Sequence, residues 1–175
     1  MPNGLALAIC FLVILLFVAY IVSMILNFVN PFYSTPRKVL KEILKKLNLS
    51  KDDKFVDLGS GDGRMVFAVS KKFKCTSVGY EISPLLLIIQ NLRKILFAPF
   101  NSKIQFREES FFNVSLEEYD TLYCALPDAL LSNLEEKFEE ELKEGSKVFT
   151  YKTKLPNKKG KEIKLKEGIL YEYTY

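Results

Sequence analysis

Residues 55–64 read FVDLGSGDGR, and this stretch decides the fold. It opens with a short apolar run that has the composition of a buried strand. Glycines follow at positions 59, 61 and 63, and residues 64–73 then carry apolar side chains at helical spacing. Glycines permit a tight turn, and the free amides at a helix start favour an anionic ligand group. The stretch therefore predicts a strand, a ligand-binding loop and a helix.

Strand-like and helical segments alternate on both sides of this loop. Further strands are predicted at residues 76–80, 104–107, 121–126 and 147–151, and further helices at residues 37–47, 85–97 and after Asp128. Such alternation is typical of an α/β fold with a parallel sheet. Residues 163–165 and 169–175 flank a Lys-Glu-Gly turn and predict a closing antiparallel hairpin. The helix at residues 85–97 is strongly apolar, which predicts a core position, with an exposed part docking on a membrane or partner as the alternative.

An uncharged apolar segment begins at Leu5 and ends at Leu26. As a helix it is roughly 33 Å long, which is enough to cross a bilayer. A cleaved signal peptide and a buried core helix are the alternatives, but no basic residue precedes the run, which is long for a signal peptide. Basic residues occur only on its C-terminal side, so the rest of the chain is expected in the cytoplasm. The predicted organisation is an anchor at residues 1–30, an interfacial linker at 31–36 and a catalytic domain at 37–175.

Composition excludes several kinds of chemistry. The chain has no histidine, which removes His-based triads and His metal sites. Its three cysteines are far apart and form no CxxC pair, so neither a disulfide framework nor a metal site is predicted. Lysines are frequent in residues 152–166, but aromatic residues do not interleave with them, which favours a solvated face over a nucleic-acid surface.

Two acids accompany the glycine loop. Glu81 follows Gly63 by 18 residues at the end of the next predicted strand, where an acid is placed to bind ribose hydroxyls. The loop reads G-S-G-D-G rather than the G-x-G-x-x-G of dinucleotide sites, and Asp62 would repel a pyrophosphate. Asp57 adds a second carboxylate, and both suit the amino and sulfonium groups of S-adenosylmethionine (SAM). The sequence therefore favours SAM over NAD(P) as the nucleoside ligand.

At these residues the sequence resembles a known family. Residues 56–64 resemble motif I of class I SAM-dependent methyltransferases, and residues 79–84, GYEISP, resemble their second motif. Within that superfamily the chain is most similar to membrane-anchored lysine N-methyltransferases of the ATP synthase c subunit. The shared features are an N-terminal span, a Pro-rich aromatic segment at residues 31–36 and the G-S-G-D-G-R loop. The Arg-Glu-Glu run at residues 107–109 also resembles the family's Arg-Glu-Asp run after the third strand. The resemblance implies a Rossmann-like methyltransferase fold.

The resemblance also implies roles for individual residues. Asp57 and Gly59 would hold the methionine end of SAM, Glu81 would bind the ribose, and Glu109 would lie near the adenine amino group, although the family has Asp there. The methyl acceptor would enter beside Leu126 and Pro127, with Tyr33 and Thr35 lining the opening. The full set of predicted SAM-binding residues is Asp57, Gly59, Ser60, Gly61, Asp62, Gly63, Glu81 and Glu109.

The expected activity is SAM-dependent methylation of a lysine on a membrane-associated protein at the cytoplasmic face. Methyl transfer from a sulfonium needs alignment more than an acid or base, so the absence of histidine is compatible with it. The alternatives are methylation of a lipid, a small molecule or RNA, an NAD(P)-binding oxidoreductase, and a non-catalytic SAM-binding membrane adaptor. An Asn/Asp-Pro-Pro-aromatic signature is missing after the fourth strand, which disfavours a nucleic-acid base as acceptor.

Overall fold

The computed structural model describes residues 4–29 and 35–175 of the chain. Its helices are α1 (Gly4–Val29), α2 (Arg37–Lys46), α3 (Arg64–Phe73), α4 (Pro84–Phe97) and α5 (Asp128–Glu141). Its strands are β1 (Lys54–Leu58), β2 (Thr76–Glu81), β3 (Ile104–Glu108), β4 (Thr121–Cys124), β5 (Lys147–Tyr151), β6 (Lys161–Lys164) and β7 (Ile169–Thr174). Residues 1–32 and 33–175 are two separate compact units.

The strands form one seven-stranded sheet in the order β3-β2-β1-β4-β5-β7-β6. The first five strands are parallel, and β7 runs antiparallel to both β5 and β6. The chain proceeds outward from β1 to β3 on one side and then returns to β4 on the other. The Rossmann-like arrangement with an antiparallel C-terminal hairpin is thus confirmed, and β1 and β4 flank a topological switch point, where ligands bind in open α/β sheets.

Two apolar clusters cover the two faces of the sheet. Alternation along β1 directs Phe55 to the cluster formed with α2 and α3, and directs Val56 and Leu58 to the cluster formed with α5. Between β3 and β4 a loop, rather than a helix, supplies Leu116 and Tyr119 to the α5 cluster. The sheet is therefore a buried platform whose strand ends present the connecting loops.

Helix α1 is the apolar helix expected at the N-terminus. Its window Gly4–Val22 has a mean hydropathy of 3.2, and none of these 19 residues is buried. By length and composition it is able to cross a bilayer. The predicted linker at residues 31–36 lies mostly outside the described residues, as do Phe32 and Tyr33. The domain limits therefore stay a prediction.

Some predicted details are wrong. Strand β4 ends at Cys124 rather than at residue 126, because the chain turns there toward α5. The hairpin strand β6 occupies Lys161–Lys164 rather than residues 163–165. Helix α4 was expected in the core, yet only Leu87 and Gln90 of its side chains are buried. Hydrophobicity indicated that α4 would be covered, but no element of the described catalytic unit packs against its outer face.

Candidate active site

The predicted site residues converge at the carboxyl ends of β1, β2 and β4. Asp57 lies in β1 beside Tyr123 of β4, its register partner on the neighbouring strand. The glycine loop follows β1, Glu81 ends β2, and Leu126 follows β4. These residues are spread over 70 positions of sequence, and the strand order brings them to one edge of the sheet.

Hydrogen bonds donated by the loop's own backbone N–H groups hold the glycine loop in place. The N–H groups of Gly59 and Ser60 both donate to the carbonyl of Tyr80, at 3.0 and 2.9 Å, and Gly63 N–H donates to the carbonyl of Ser60 at 2.8 Å. The expectation of several free loop amides for a ligand is therefore only partly met. These bonds fix the loop against the end of β2, so the site is preorganised before any ligand arrives.

Two loop glycines are required by their neighbours. Gly63 has a φ of +77°, and a Cβ there would lie 2.7 Å from the Phe106 ring. Gly59 has the same φ, and its Cβ would lie 3.0 Å from Leu126 and 3.9 Å from Phe111. A side chain at either position would be strained and crowded. Leu126, predicted on the acceptor side, thus packs directly against the loop.

Glu81 faces the loop across the ends of β1 and β2. Its Oε2 accepts a hydrogen bond from Gly61 N–H at 2.9 Å, and its Oε1 accepts bonds from the amides of Ile82 and Ser83, both at 2.9 Å. The carboxylate therefore braces the loop as well as ending the strand. A carboxylate offers about four acceptor positions, two on each oxygen. Oε1 already accepts two bonds, so the remaining position is on Oε2.

Asp57 is the most unusual titratable group of the site. It is 4% exposed, and no hydrogen-bond partner for its carboxylate exists among the described residues 35–175. Burial, reinforced by the negative charges of Glu81 and Asp62, raises the pKa of Asp57 well above its ordinary value. A buried carboxylate in this condition is matched to a cationic ligand group.

Asp62 is instead neutralised by two arginines. Its Oδ1 accepts from Arg64 Nε at 2.8 Å, and its Oδ2 lies 2.7 Å from Arg93 Nη1. Burial would raise the pKa of Asp62, but the hydrogen bonds and charge of Arg64 and the charge of Arg93 hold it below its ordinary value. These contacts join the loop to α3 and α4. They favour a structural role for Asp62, and its binding role stays a prediction.

Thr35 marks the point where the described catalytic unit begins. Its buried hydroxyl shares a hydrogen bond with the Tyr123 hydroxyl at 2.7 Å, and its carbonyl accepts from Arg64 Nη1 at 2.9 Å. Thr35 is therefore fixed near the Asp57 strand, on the edge where it was predicted. Tyr33, predicted beside it, lies outside the described residues.

The remaining predicted residues lie on the periphery of the site. Glu109 is exposed and follows β3 directly, so its position neither supports nor excludes an adenine contact. Leu126 is buried, and Pro127 is the N-cap of α5. Ser60, also buried, accepts a hydrogen bond from Gln90.

Sequence reasoning missed the residues that support the loop from α4. Gln90 is fully buried and donates from Nε2 to the Ser60 hydroxyl at 2.9 Å and to the carbonyl of Gly61 at 2.5 Å. Arg93 donates to the carbonyl of Asp62 at 2.8 Å. A polar Gln90 within so apolar a helix was the available signal, because an uncharged polar residue buried there requires partners.

Comparison with known proteins identifies the family. Residues 57–162, more than half of the chain, match the family described as the ANTKMT methyltransferase domain. The chain belongs to this family. It is also 30% identical over 147 residues to a protein-lysine N-methyltransferase of Saccharolobus islandicus, covering 83% of this chain and 91% of that protein. The resemblance noted from the motifs is thereby confirmed.

Two further proteins are informative. The human lysine N-methyltransferase of the ATP synthase c subunit is 29% identical over 127 residues, covering 73% of this chain and 53% of that protein, so the chain spans about half of its length. An RNA methyltransferase of Salinibacter ruber, solved with S-adenosyl-L-homocysteine, has a TM-score of 0.76 at 24% identity and covers 81% of this chain and 92% of that one. The latter similarity concerns the fold alone.

The chain is therefore a SAM-dependent methyltransferase, and the oxidoreductase and adaptor alternatives are set aside. The residues present fit SAM. The buried carboxylate of Asp57, which has no hydrogen-bond partner among residues 35–175, suits its ammonium group, and Glu81 Oε2 has an acceptor position left for a ribose hydroxyl. The negative charge of Asp57 and Glu81 also opposes a pyrophosphate at this edge.

Proposed function

We propose that this chain is a protein-lysine N-methyltransferase, anchored in a membrane by residues 1–30, that modifies a membrane-associated protein from the cytoplasmic side. The names of its relatives support lysine as the acceptor. The observation that carries the proposed site is the buried carboxylate of Asp57, which lies beside the glycine loop with no hydrogen-bond partner in the described residues 35–175. The linker at residues 31–36 connects the anchor to the catalytic domain at residues 37–175.

We assign the SAM pocket to the loop edge. Asp57 binds the ammonium of the methionine end of SAM, and the main chain of residues 59–63 lies along that end. Glu81 accepts from a ribose hydroxyl through Oε2. Glu109 lies on the adenine side. The strand order supports this assignment, because the loop and Glu81 follow neighbouring strands at a switch point.

SAM supplies a methyl group bonded to a positively charged sulfur, and S-adenosylhomocysteine remains after the transfer. The protein's task is to align the acceptor amine with this group and to keep the amine neutral. Leu126 and Phe111 flank Gly59 and form an apolar wall on the acceptor side. Such surroundings lower the pKa of an incoming lysine, so that its lone pair is available, and the proton it loses passes to water.

The membrane part of the proposal rests on α1 and on charge. The window Gly4–Val22 is as apolar as a bilayer core requires. Five of the six charged residues in the segment 37–46 are basic, whereas residues 1–36 carry no charge. This asymmetry supports a cytoplasmic catalytic domain. Thr35 and Tyr33 would then lie where a substrate at the membrane surface approaches the site.

The test uses membranes from a source strain that lacks the chain. These are incubated with methyl-labelled SAM and the purified full-length protein, and methylated lysines are located by mass spectrometry. The expected result is label on a lysine of a membrane-associated protein, lost in the double variant Asp57→Ala/Glu81→Ala and retained in Glu136→Gln, which removes an exposed carboxylate of α5. Label only in lipid or RNA would contradict the lysine acceptor, and label only in soluble proteins would contradict the membrane substrate.

A further inference from the structure

Most of the large apolar side chains of helix α4 face solvent rather than the core of the catalytic unit. Large apolar side chains line its outer face and the turn that follows, all more than half exposed. They are Leu85, Ile88, Leu92, Ile95, Leu96, Phe97 and Phe100. The inner face buries only Leu87 and Gln90. Contiguous exposed apolar surface of this kind marks a contact with another molecule or with lipid.

We propose that the outer face of α4 lies in the interfacial region of the bilayer that α1 spans. This inference rests on the membrane anchoring proposed above and adds a second, lateral membrane contact on the catalytic domain itself. An amphipathic helix with apolar residues on one face inserts that face at the boundary of headgroups and acyl chains. The residues named above would then be removed from water, which is favourable in proportion to their apolar area.

Charge favours an anionic lipid surface over a second copy of this chain. The segment 82–107, which contains α4, carries four basic residues and no acidic residue. Two of these belong to α4 itself: Arg93, which is already paired with Asp62, and Lys94 in its last turn. Basic residues beside an apolar face are attracted to anionic headgroups, each by a modest amount. Two copies of this surface would instead oppose like charges.

The tether point of the catalytic unit lies close to α4. Arg64 contacts the Thr35 carbonyl at 2.9 Å and the Asp62 carboxylate at 2.8 Å, and Arg93 of α4 contacts the same carboxylate at 2.7 Å. Three consecutive contacts thus join Thr35 to α4. The six residues from Val29 to Thr35 can extend at most about 20 Å. If α1 spans a bilayer, this covalent reach limits how far Thr35 can lie from the lipid surface.

The inner face of the same helix supports the glycine loop through Gln90 and Arg93. Contact of the outer face of α4 with lipid would therefore keep the SAM-binding edge within about one helix diameter, roughly 10 Å, of the membrane surface. The contact would stop the catalytic domain from turning away from the bilayer. Substrate lysines close to the headgroups would then be able to reach the site.

The test exploits the absence of tryptophan from the chain. Three single-tryptophan variants of the full-length protein are reconstituted in vesicles of phosphatidylcholine and phosphatidylglycerol, with or without brominated acyl chains that quench on contact. Leu92→Trp reports on α4, Phe17→Trp on α1, and Glu136→Trp on the acidic outer face of α5. Ile88→Trp provides a second reporter on α4 should Leu92→Trp fold poorly.

The proposal predicts that Leu92→Trp and Phe17→Trp lose most of their fluorescence in brominated vesicles, whereas Glu136→Trp does not. Quenching of Phe17→Trp alone would overturn the α4 contact and leave the anchor standing. If neither Leu92→Trp nor Phe17→Trp were quenched, both the α4 contact and the membrane anchor would be overturned. An unquenched but blue-shifted Leu92→Trp would show that α4 is covered by protein, which also overturns the proposal. Lysine methylation is assayed separately, so a failure there is distinguishable from these outcomes.

Discussion

Asp57 and Asp62 belong to one strand–loop–helix unit and lie five residues apart, yet their surroundings are opposite. Asp57 is buried without a partner among the described residues 35–175, and its pKa is raised. Asp62 has charge-assisted bonds from two arginines, and its pKa is lowered. From this comparison we propose that carboxylates on one motif divide between ligand binding and structural support according to whether the fold already satisfies them. Asp57 is the one left available for a cationic ligand.

The largest effect is expected from filling the loop between the two carboxylates. Gly61→Arg places a bulky cation in the loop that Glu81 braces, at a position with a φ of +56°. We expect SAM binding to weaken by at least about a thousandfold, which is roughly 4 kcal/mol. Titration calorimetry measures the affinity. The matched control is Gly145→Arg, which also replaces a positive-φ glycine but has open space around its Cβ. Equal loss of SAM binding in both variants would show that folding, not the site, was damaged.

The next effect concerns the stability of the ligand-free protein. Asp62→Asn removes the charge that Arg64 and Arg93 share, and should lower the free energy of unfolding by about 2 kcal/mol. Asp57→Asn removes a buried charge without a partner, and should raise it by about 1 kcal/mol at neutral pH. Urea denaturation of both variants beside the wild type measures these changes. Destabilisation by Asp57→Asn as large as that by Asp62→Asn would mean that Asp57 is already satisfied.

The pH dependence of stability should separate the two groups more finely. The folded-state pKa of Asp57 is raised above the ordinary value of 3.8. Its contribution to stability is therefore complete below that value and is lost as the pH rises through the folded-state pKa. Asp62 behaves oppositely, because its lowered pKa gives a contribution that is present above 3.8 and lost in acid.

Denaturation curves of the SAM-free protein between acid and neutral pH measure these contributions. Relative to the wild type, Asp57→Asn should gain stability as the pH rises, and Asp62→Asn should lose it. The expected change is at most about 1.4 kcal/mol for each unit of pKa shift. A constant difference between Asp57→Asn and the wild type across this range would refute the raised pKa.

The division between Asp57 and Asp62 could not be predicted from the sequence. The glycine loop and the strand alternation predicted the sheet and the edge where the site lies. Of the two arginines that distinguish Asp62 from Asp57, Arg64 is close in sequence, but Arg93 lies 31 residues after Asp62. Both acids looked equally suited to SAM because charge patterns do not reveal which carboxylate an arginine reaches.

Helices α4 and α5 illustrate the same limit for burial. Both have 14 residues, and α5 buries Leu131, Leu134 and Phe138 as its pattern predicts. The apolar composition of α4 predicted a core helix, but composition does not say what covers a helix. Only the sheet topology showed that the outer face of α4 has no cover within the described catalytic unit.

The most direct test of the account is the SAM affinity of Asp57→Asn compared with that of Asp62→Asn, measured by calorimetry on the full-length protein. If the Asp57 carboxylate holds the ammonium of SAM, Asp57→Asn should bind about a hundredfold more weakly, while Asp62→Asn should change the affinity less than about tenfold. Wild-type affinity in Asp57→Asn would contradict the assignment of this buried carboxylate to the ligand.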